Sequence, residues 1–420
     1  MHQPLSETTV DLTLTAATPS ARLLSLDLIR GVAILGILLL NIYAFAMPPE
    51  AAMVLNWQQG QYSAVDMWLF QLENWLFLGR FLTLFALLFG VSLYLLWQRS
   101  PALLPRRLHW LMLLGALHLC FWWWGDILLT YAVTGWLLLR YGLLQLDVAG
   151  LWRTAHRFLA IAVALPLLGV LAAVFDPAGF TEDGFTLQEL AQARADWTGS
   201  YSSQLLQLLE MAQSQLWMYL LHTGWLVAAL MLYGMALYRG GWFFHGFSGR
   251  KTVALFLLGS LLSGFNALAH HLTDYRFSAL VYNPLDLFAC LLIALSYGSL
   301  LIRLANKAGS TAANRVLVTG QPAQDLSQRL SGWLLRWILP CGRLALSLYL
   351  LQSISMVLLF RFIAPHWFAA LDLWQLTAIA LLAIGLQVLG CRLYLSFFKQ
   401  GPAEWLWRKL STSPVNGGAS

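Results

Sequence analysis

The chain has 420 residues, 59% of them hydrophobic and 10% charged, with a formal net charge of +6. Soluble domains carry about 25% charged residues, so this composition excludes an ordinary soluble protein and marks an all-α, polytopic membrane protein. The positive balance requires no nucleic-acid partner, because the basic residues follow the loops of one membrane face.

Residues 1–24 are rich in Ser, Thr and Ala, with little positive charge and no short apolar core, and read as a disordered cytoplasmic tail without a cleaved signal. The first span, Ser25 to Tyr43 (SLDLIRGVAILGILLLNIY), is long enough to cross a bilayer yet carries Asp27, Arg30 and Asn41. Arg30, Ile34, Ile37 and Asn41 recur with the helical period, so one stripe is polar at both ends and faces protein. The segment from Tyr62 to Gly79 holds Asp66, Glu73 and Asn74, too polar for an easy crossing, and reads as an interfacial or re-entrant helix.

Further spans are expected at Phe81–Trp97, Leu108–Trp124, Ile127–Tyr141, Phe158–Phe175, Gln215–Tyr238, Thr252–His270, Ala279–Leu304, Arg343–Ile363 and Trp374–Phe397, about ten transmembrane helices in all. They make 25–398 a single helical membrane domain, with an acidic external loop at 176–213, a flexible cytoplasmic linker at 305–341 and a cytoplasmic tail at 399–420. With the N-terminus inside, the external segments hold only Arg194, Arg276 and Arg361 of the 25 basic residues, so both termini are expected in the cytoplasm. The 20 Trp and 14 Tyr suit interfacial anchoring. Cys120, Cys290, Cys341 and Cys391 are far apart and read as packing residues, neither a disulfide frame nor a metal site.

Among the histidines, His118 lies nine residues beyond His109 on one helix, about 14 Å deeper at the helical rise. It sits in GALHLCFWWWGDILLTY, with Asp126 eight residues on and three tryptophans between. A lone buried histidine is more often an interhelical hydrogen-bonding group, but in this company the imidazole suits proton abstraction from an acceptor, or acyl capture as a nucleophile. His222, in LLHTGW, is similarly deep. Asp66, Glu73 and Arg80 recur every seven residues and would form an ion-pair ladder on one continuous helix. His270, His271 and Asp274 make a poor metal site, since adjacent helical residues point about 100° apart. No H-E-x-x-H, G-x-S-x-G or Walker loop is present.

LDLIRGVAILGILLLNI at 26–42, GRFLTLFALLFG at 79–90, RRLHW at 106–110, GALHLCFWWWGDILLTYAVTG at 115–135, GRLALSLYLLQS at 342–353 and GPAEWLWRKL at 401–410 resemble the YeiB family of bacterial inner-membrane proteins. The opening helix is also similar to that of the membrane acyltransferases that include the acyltransferase-3 proteins and heparan glucosaminide acetyltransferase. That likeness implies transfer of an acyl group from cytoplasmic acyl-CoA to an acceptor across the membrane. Where the acyltransferase-3 pattern has a histidine, this chain has Asn41, and asparagine cannot act as a general base. The glucosaminide enzyme uses a histidine further on, in the loop; 44–62 has none here, so the role would move to His118 or be absent.

The resemblance therefore implies His118, Asn41 and Asp126 as catalytic residues. Arg30, Arg106 and Arg107 would attract the acyl-CoA phosphates, Asn41 would polarise the acyl carbonyl, and Arg80 and His222 would contact substrate. The acceptor would be an extracytoplasmic sugar or other envelope molecule, with membrane lipid as the surrounding partner and no metal. The alternative is a transporter of a small anion or envelope metabolite, with Arg30, Asn41, His118 and His222 lining its path.

Overall fold

A computed structural model describes residues 19–49, 52, 63–175, 187–272, 284–317 and 326–412, and every regular element among them is a helix. In chain order they are α1 (Pro19–Ala46), α2 (Ala64–Leu76), α3 (Arg80–Arg99), α4 (Leu103–Phe121), α5 (Leu128–Arg140), α6 (Val148–Phe175), α7 (Leu187–Thr198) and α8 (Tyr201–Met218). A wide turn at Tyr219–Thr223 leads into α9 (Gly224–Arg239), followed by α10 (Trp242–His245), α11 (Gly249–Leu272), α12 (Pro284–Leu317), α13 (Leu326–Trp337), α14 (Leu339–Arg343) and α15 (Ala345–Val357). A second wide turn, Leu358–Ile363, extends α15, and α16 (Leu373–Phe397) and α17 (Pro402–Thr412) complete the chain.

Eight segments among the described residues are long and apolar enough to cross a membrane. The two further stretches expected to cross, now the α4–α5 hairpin, are not among the eight, α5 being a shorter apolar helix of 13 residues; the arms meet where a Cβ on Gly115 would overlap the backbone of Leu129. The chain is thus an all-helical, polytopic membrane protein.

The first helix is the axis. Leu28, Ile29, Leu38 and Ile42 are fully buried, and α1 packs against α3, α12, α14, α15 and α16. Its closest neighbour is α14, where Gly31 and Gly342 face one another and leave the two backbones in direct contact. The same device joins α3 to α9: a Cβ on Gly90 would strike the Met231 carbonyl, and one on Gly234 the Leu87 carbonyl. Between helices that gain no hydrophobic advantage over lipid, such close approach maximises van der Waals contact.

Three expected features differ. The stretch 305–341 is helical over most of its length, because α12 continues to Leu317 and α13 occupies Leu326–Trp337. The described part of the acidic segment 176–213 forms two helices, α7 and α8, the second running into the following span. The seven-residue ladder of Asp66, Glu73 and Arg80 does not form, because the helix breaks at Gly79 with φ +73°. Each of the three finds its own partner. Asp66 Oδ1 accepts from Trp374 N at the start of α16 (3.1 Å), Glu73 accepts from Tyr43 and from Thr377 Oγ1, and Arg80 turns to α11 and α12.

The described part of the tail beyond 399, up to residue 412, is held against the bundle. Glu404 of α17 accepts hydrogen bonds from Leu346 N (2.8 Å), Ser347 N (3.1 Å) and the Ser347 hydroxyl, so it caps the start of α15 from outside the helix. Trp407 of the same helix donates to the Arg107 carbonyl (2.9 Å), and the Arg107 guanidinium lies 5.3 Å over its ring. Glu404→Ala leaves two part-buried N–H groups at α15 unmet, and loss of a cap costs about 1–2 kcal/mol. A lowered thermal midpoint of the purified protein is the expected result; an unchanged midpoint would show that the cap contributes nothing.

Candidate active site

The hairpin α4–α5 and the long helix α15 meet at His118. Its Nδ1 lies 2.9 Å from Asp126 Oδ1 and its Nε2 2.7 Å from Ser353 Oγ. All three side chains are buried, Ser353 completely. Asp126 is held by the helix it precedes: its Oδ2 accepts from Leu129 N (2.8 Å), at the N-terminal turn of α5 where backbone N–H groups favour a carboxylate. As an ionised carboxylate Asp126 accepts a hydrogen bond from Nδ1–H, which leaves Nε2 as the reactive nitrogen, facing Ser353.

The serine has two acceptors within reach, His118 Nε2 and the Leu350 carbonyl at 3.0 Å. With neutral His118 the hydroxyl donates to Nε2. Once His118 carries a second proton, Nε2–H donates to Ser353 and the hydroxyl proton turns to Leu350. Both protonation states are therefore hydrogen-bonded without movement of heavy atoms.

Aromatic rings enclose the imidazole. Tyr349 lies 5.4 Å from it and Trp123 6.1 Å, centroid to centroid. The Tyr349 hydroxyl accepts from Ile127 N (3.1 Å) and lies 3.4 Å from Asp126 Oδ1. The end of α1 reaches this shell through Phe45, whose ring centre lies 4.2 Å from that of Trp123 with the planes tilted by 32°. In the loop that joins His118 to Asp126, the buried Nε1–H groups of Trp122 and Trp124 have no acceptor among the described residues.

The remaining expected residues lie elsewhere. Asn41 is half-buried on α1 and makes no hydrogen bond among the described residues; α1 meets the site at Phe45 instead. Arg30 is paired within its own helix to Asp27 (2.6 Å) and stays one-quarter exposed. Arg106 is exposed, and Arg107 is covered by Trp407.

Arg80 does not reach the His118 site. Buried completely, it contacts Asp286 Oδ1 (3.4 Å), Ser263 Oγ (2.9 Å), Cys290 Sγ (3.3 Å) and the Leu78 carbonyl. His222 has an architectural task. Pro166 inside α6 has no N–H for the Ala162 carbonyl, and His222 Nδ1 lies 2.8 Å from that oxygen and donates to it. Asp274 of the histidine cluster, and most of 44–62, lie outside the described residues.

Ser353 is the site residue that the sequence does not single out. It closes GRLALSLYLLQS, and the signal was there: Gln352–Ser353 is a polar pair in the middle of an apolar run. Gln352 donates to the Ile34 carbonyl (3.1 Å) and to Gln387 (2.8 Å), which fixes the rotation of α15 and so the direction of Ser353. A cavity of about 410 Å³ lined by Tyr94, Leu95, Gln98, Tyr238, Arg239 and Phe244 shares none of these residues.

The family described as "Protein of unknown function (DUF418)" matches residues 325–413, the part of the chain that carries Ser353 and Glu404. No solved structure matches the chain. The uncharacterized protein YxaH of Bacillus subtilis is 24% identical over 93% of this chain and 95% of its own length. The uncharacterized protein YeiB of Escherichia coli is 31% identical over 93% of this chain and 96% of its own. With that identity along nearly the whole of both chains, the protein belongs to the YeiB family.

Proposed function

We propose that this chain is a bacterial inner-membrane acyltransferase, with both termini cytoplasmic, that moves an acyl group from cytoplasmic acyl-CoA to an extracytoplasmic sugar or other envelope acceptor. The observation that carries this reading is the hydrogen-bonded series Asp126, His118, Ser353. A serine hydroxyl held on the free nitrogen of a carboxylate-oriented imidazole is the arrangement that nucleophilic acyl transfer needs.

In the first half-reaction Ser353 Oγ bonds to the acyl carbonyl carbon and gives its proton to His118 Nε2. The carbon–sulfur bond breaks, and the proton passes from Nε2 to the departing CoA thiolate. In the second, the acceptor hydroxyl gives its proton to Nε2 as its oxygen attacks the acyl carbon, and Ser353 Oγ leaves and recovers that proton. Asp126 is the positioning residue throughout. The unmet N–H groups of Trp122 and Trp124 are the candidate donors for the carbonyl oxygen as it becomes negative.

The location suits a relay between two compartments. Ser353 is eight residues into α15, about 12 Å along its axis, so an acyl group parked there is part-way through the membrane. Burial also keeps water from hydrolysing it. Arg30 and Arg106, at the end of the bundle where α1 and α4 begin, remain accessible to the phosphates of CoA.

The test is CoA release by the purified full chain given a series of acyl-CoAs without acceptor. The expected result is a burst of free thiol matching the amount of protein, with the acyl mass on the peptide containing Ser353. Folded protein that releases no CoA from any of them sinks the proposal, and solute flux into sealed vesicles that ignores CoA would put a transporter in its place.

A further inference from the structure

Arg361, in the wide turn that extends α15, is only 3% exposed, yet it forms no ion pair and no hydrogen bond among the described residues. Among the described residues its guanidinium lies over Trp197 of α7, itself 2% exposed, whose ring centre is 4.4 Å from the guanidinium carbon. The contrast with Arg80 decides how this is read. Arg80 is equally buried, and its guanidinium has a carboxylate, a hydroxyl, a thiol and a carbonyl around it.

A buried cation without acceptors is strongly disfavoured. Stacking on an indole compensates for part of the charge, but it satisfies none of the five N–H donors. The stack covers one face of the guanidinium and leaves its edge, the side that binds two oxygens at once, unused. The helix that carries Trp197 has anchors of its own: Arg194 of α7 donates to the His366 carbonyl (2.9 Å), and Tyr201 at the start of α8 donates to the Phe121 carbonyl (2.8 Å). Turns of this wide-helix type recur at functional sites.

We infer that Arg361, backed by Trp197, is a binding site for an oxyanion, the phosphate or carboxylate of a ligand. The inference stands apart from the acyl-transfer reading, because it needs only the unmet guanidinium. If both hold, the oxyanion belongs to the acceptor: Arg361 follows Ser353 by eight residues on the same helix, about 12 Å along the axis.

The test is thermal unfolding of the full chain in neutral detergent, for wild type, Arg361→Gln and Arg361→Lys. Each is titrated with inorganic phosphate and, separately, with phosphatidylglycerol in mixed micelles, with phosphatidylcholine as the control. Without an oxyanion, Arg361→Gln should unfold a few degrees higher than wild type, because an uncompensated buried charge is gone. The wild-type midpoint should rise with phosphate if the ligand is a small soluble molecule, or with phosphatidylglycerol alone if it is a lipid headgroup. Arg361→Gln should respond to neither, and Arg361→Lys should respond weakly, keeping the charge without the planar fork. A lower midpoint for Arg361→Gln in the absence of oxyanion, or a wild type that responds to neither probe, overturns the inference.

Discussion

His118→Ala and Ser353→Ala should each lower acyl transfer by about 10³–10⁴-fold, and the double variant should be no slower than either alone. Residues that act as one unit are non-additive, because removal of the base strands the nucleophile and removal of the nucleophile idles the base. The 2.7 Å contact between them is the reason to expect this here. Asp126→Asn should approach the same loss by a different route: an amide can donate to Nδ1, which moves the imidazole proton to Nε2 and leaves Ser353 facing a donor. That variant also weakens the carboxylate cap on Leu129 N, so its thermal midpoint must be measured beside its rate. If Ser353→Ala retains most of the turnover while His118→Ala loses it, the acyl group never rests on the serine. His118 would then act directly on acceptor or thioester.

The largest structural effect is expected at Gly342. A Cβ there would overlap the Asp27 carbonyl oxygen and crowd Gly31 N, both backbone atoms of the central helix that cannot swing aside. Overpacking a well-filled contact costs about 1–3 kcal/mol for small additions, and Gly342→Val adds more than a methyl group. Gly342→Val should therefore fail to give a monodisperse protein, and Gly342→Ala should unfold well below wild type. Gly385, whose added Cβ would meet nothing within 4 Å, is the control: Gly385→Ala should leave the profile unchanged or improved. Equal behaviour of the two alanine variants would mean that α1 and α14 do not pack as closely as described.

The architecture was legible because each crossing announces itself as an apolar run. His118 and Asp126 were also legible as partners, since they lie eight residues apart across one tight hairpin. Ser353 is 235 residues from His118, and no local pattern reports which face of α15 meets α4. That face is set by Gln352 hydrogen-bonding to α1 and α16, a tertiary fact. Arg361 shows another limit. Charge counting places arginines at span ends in the loops, whereas helix α7 covers this one with Trp197. Arg80 reads as a rung of a ladder only while Gly79 is assumed to continue the helix.

The terminal helix α17 grips the two limbs of the site at once, α15 through Glu404 and α4 through Trp407. Neither contact is near His118, yet together they fix how far α4 and α15 can slide past one another along their axes. That slide is the coordinate on which the distance from Nε2 to the serine oxygen depends. A slip of one helical residue, about 1.5 Å, would turn a hydrogen bond into a gap. Helix α17 is thus a clamp on the His118–Ser353 contact, and fusions or truncations there should be expected to loosen that contact from the opposite end of the bundle.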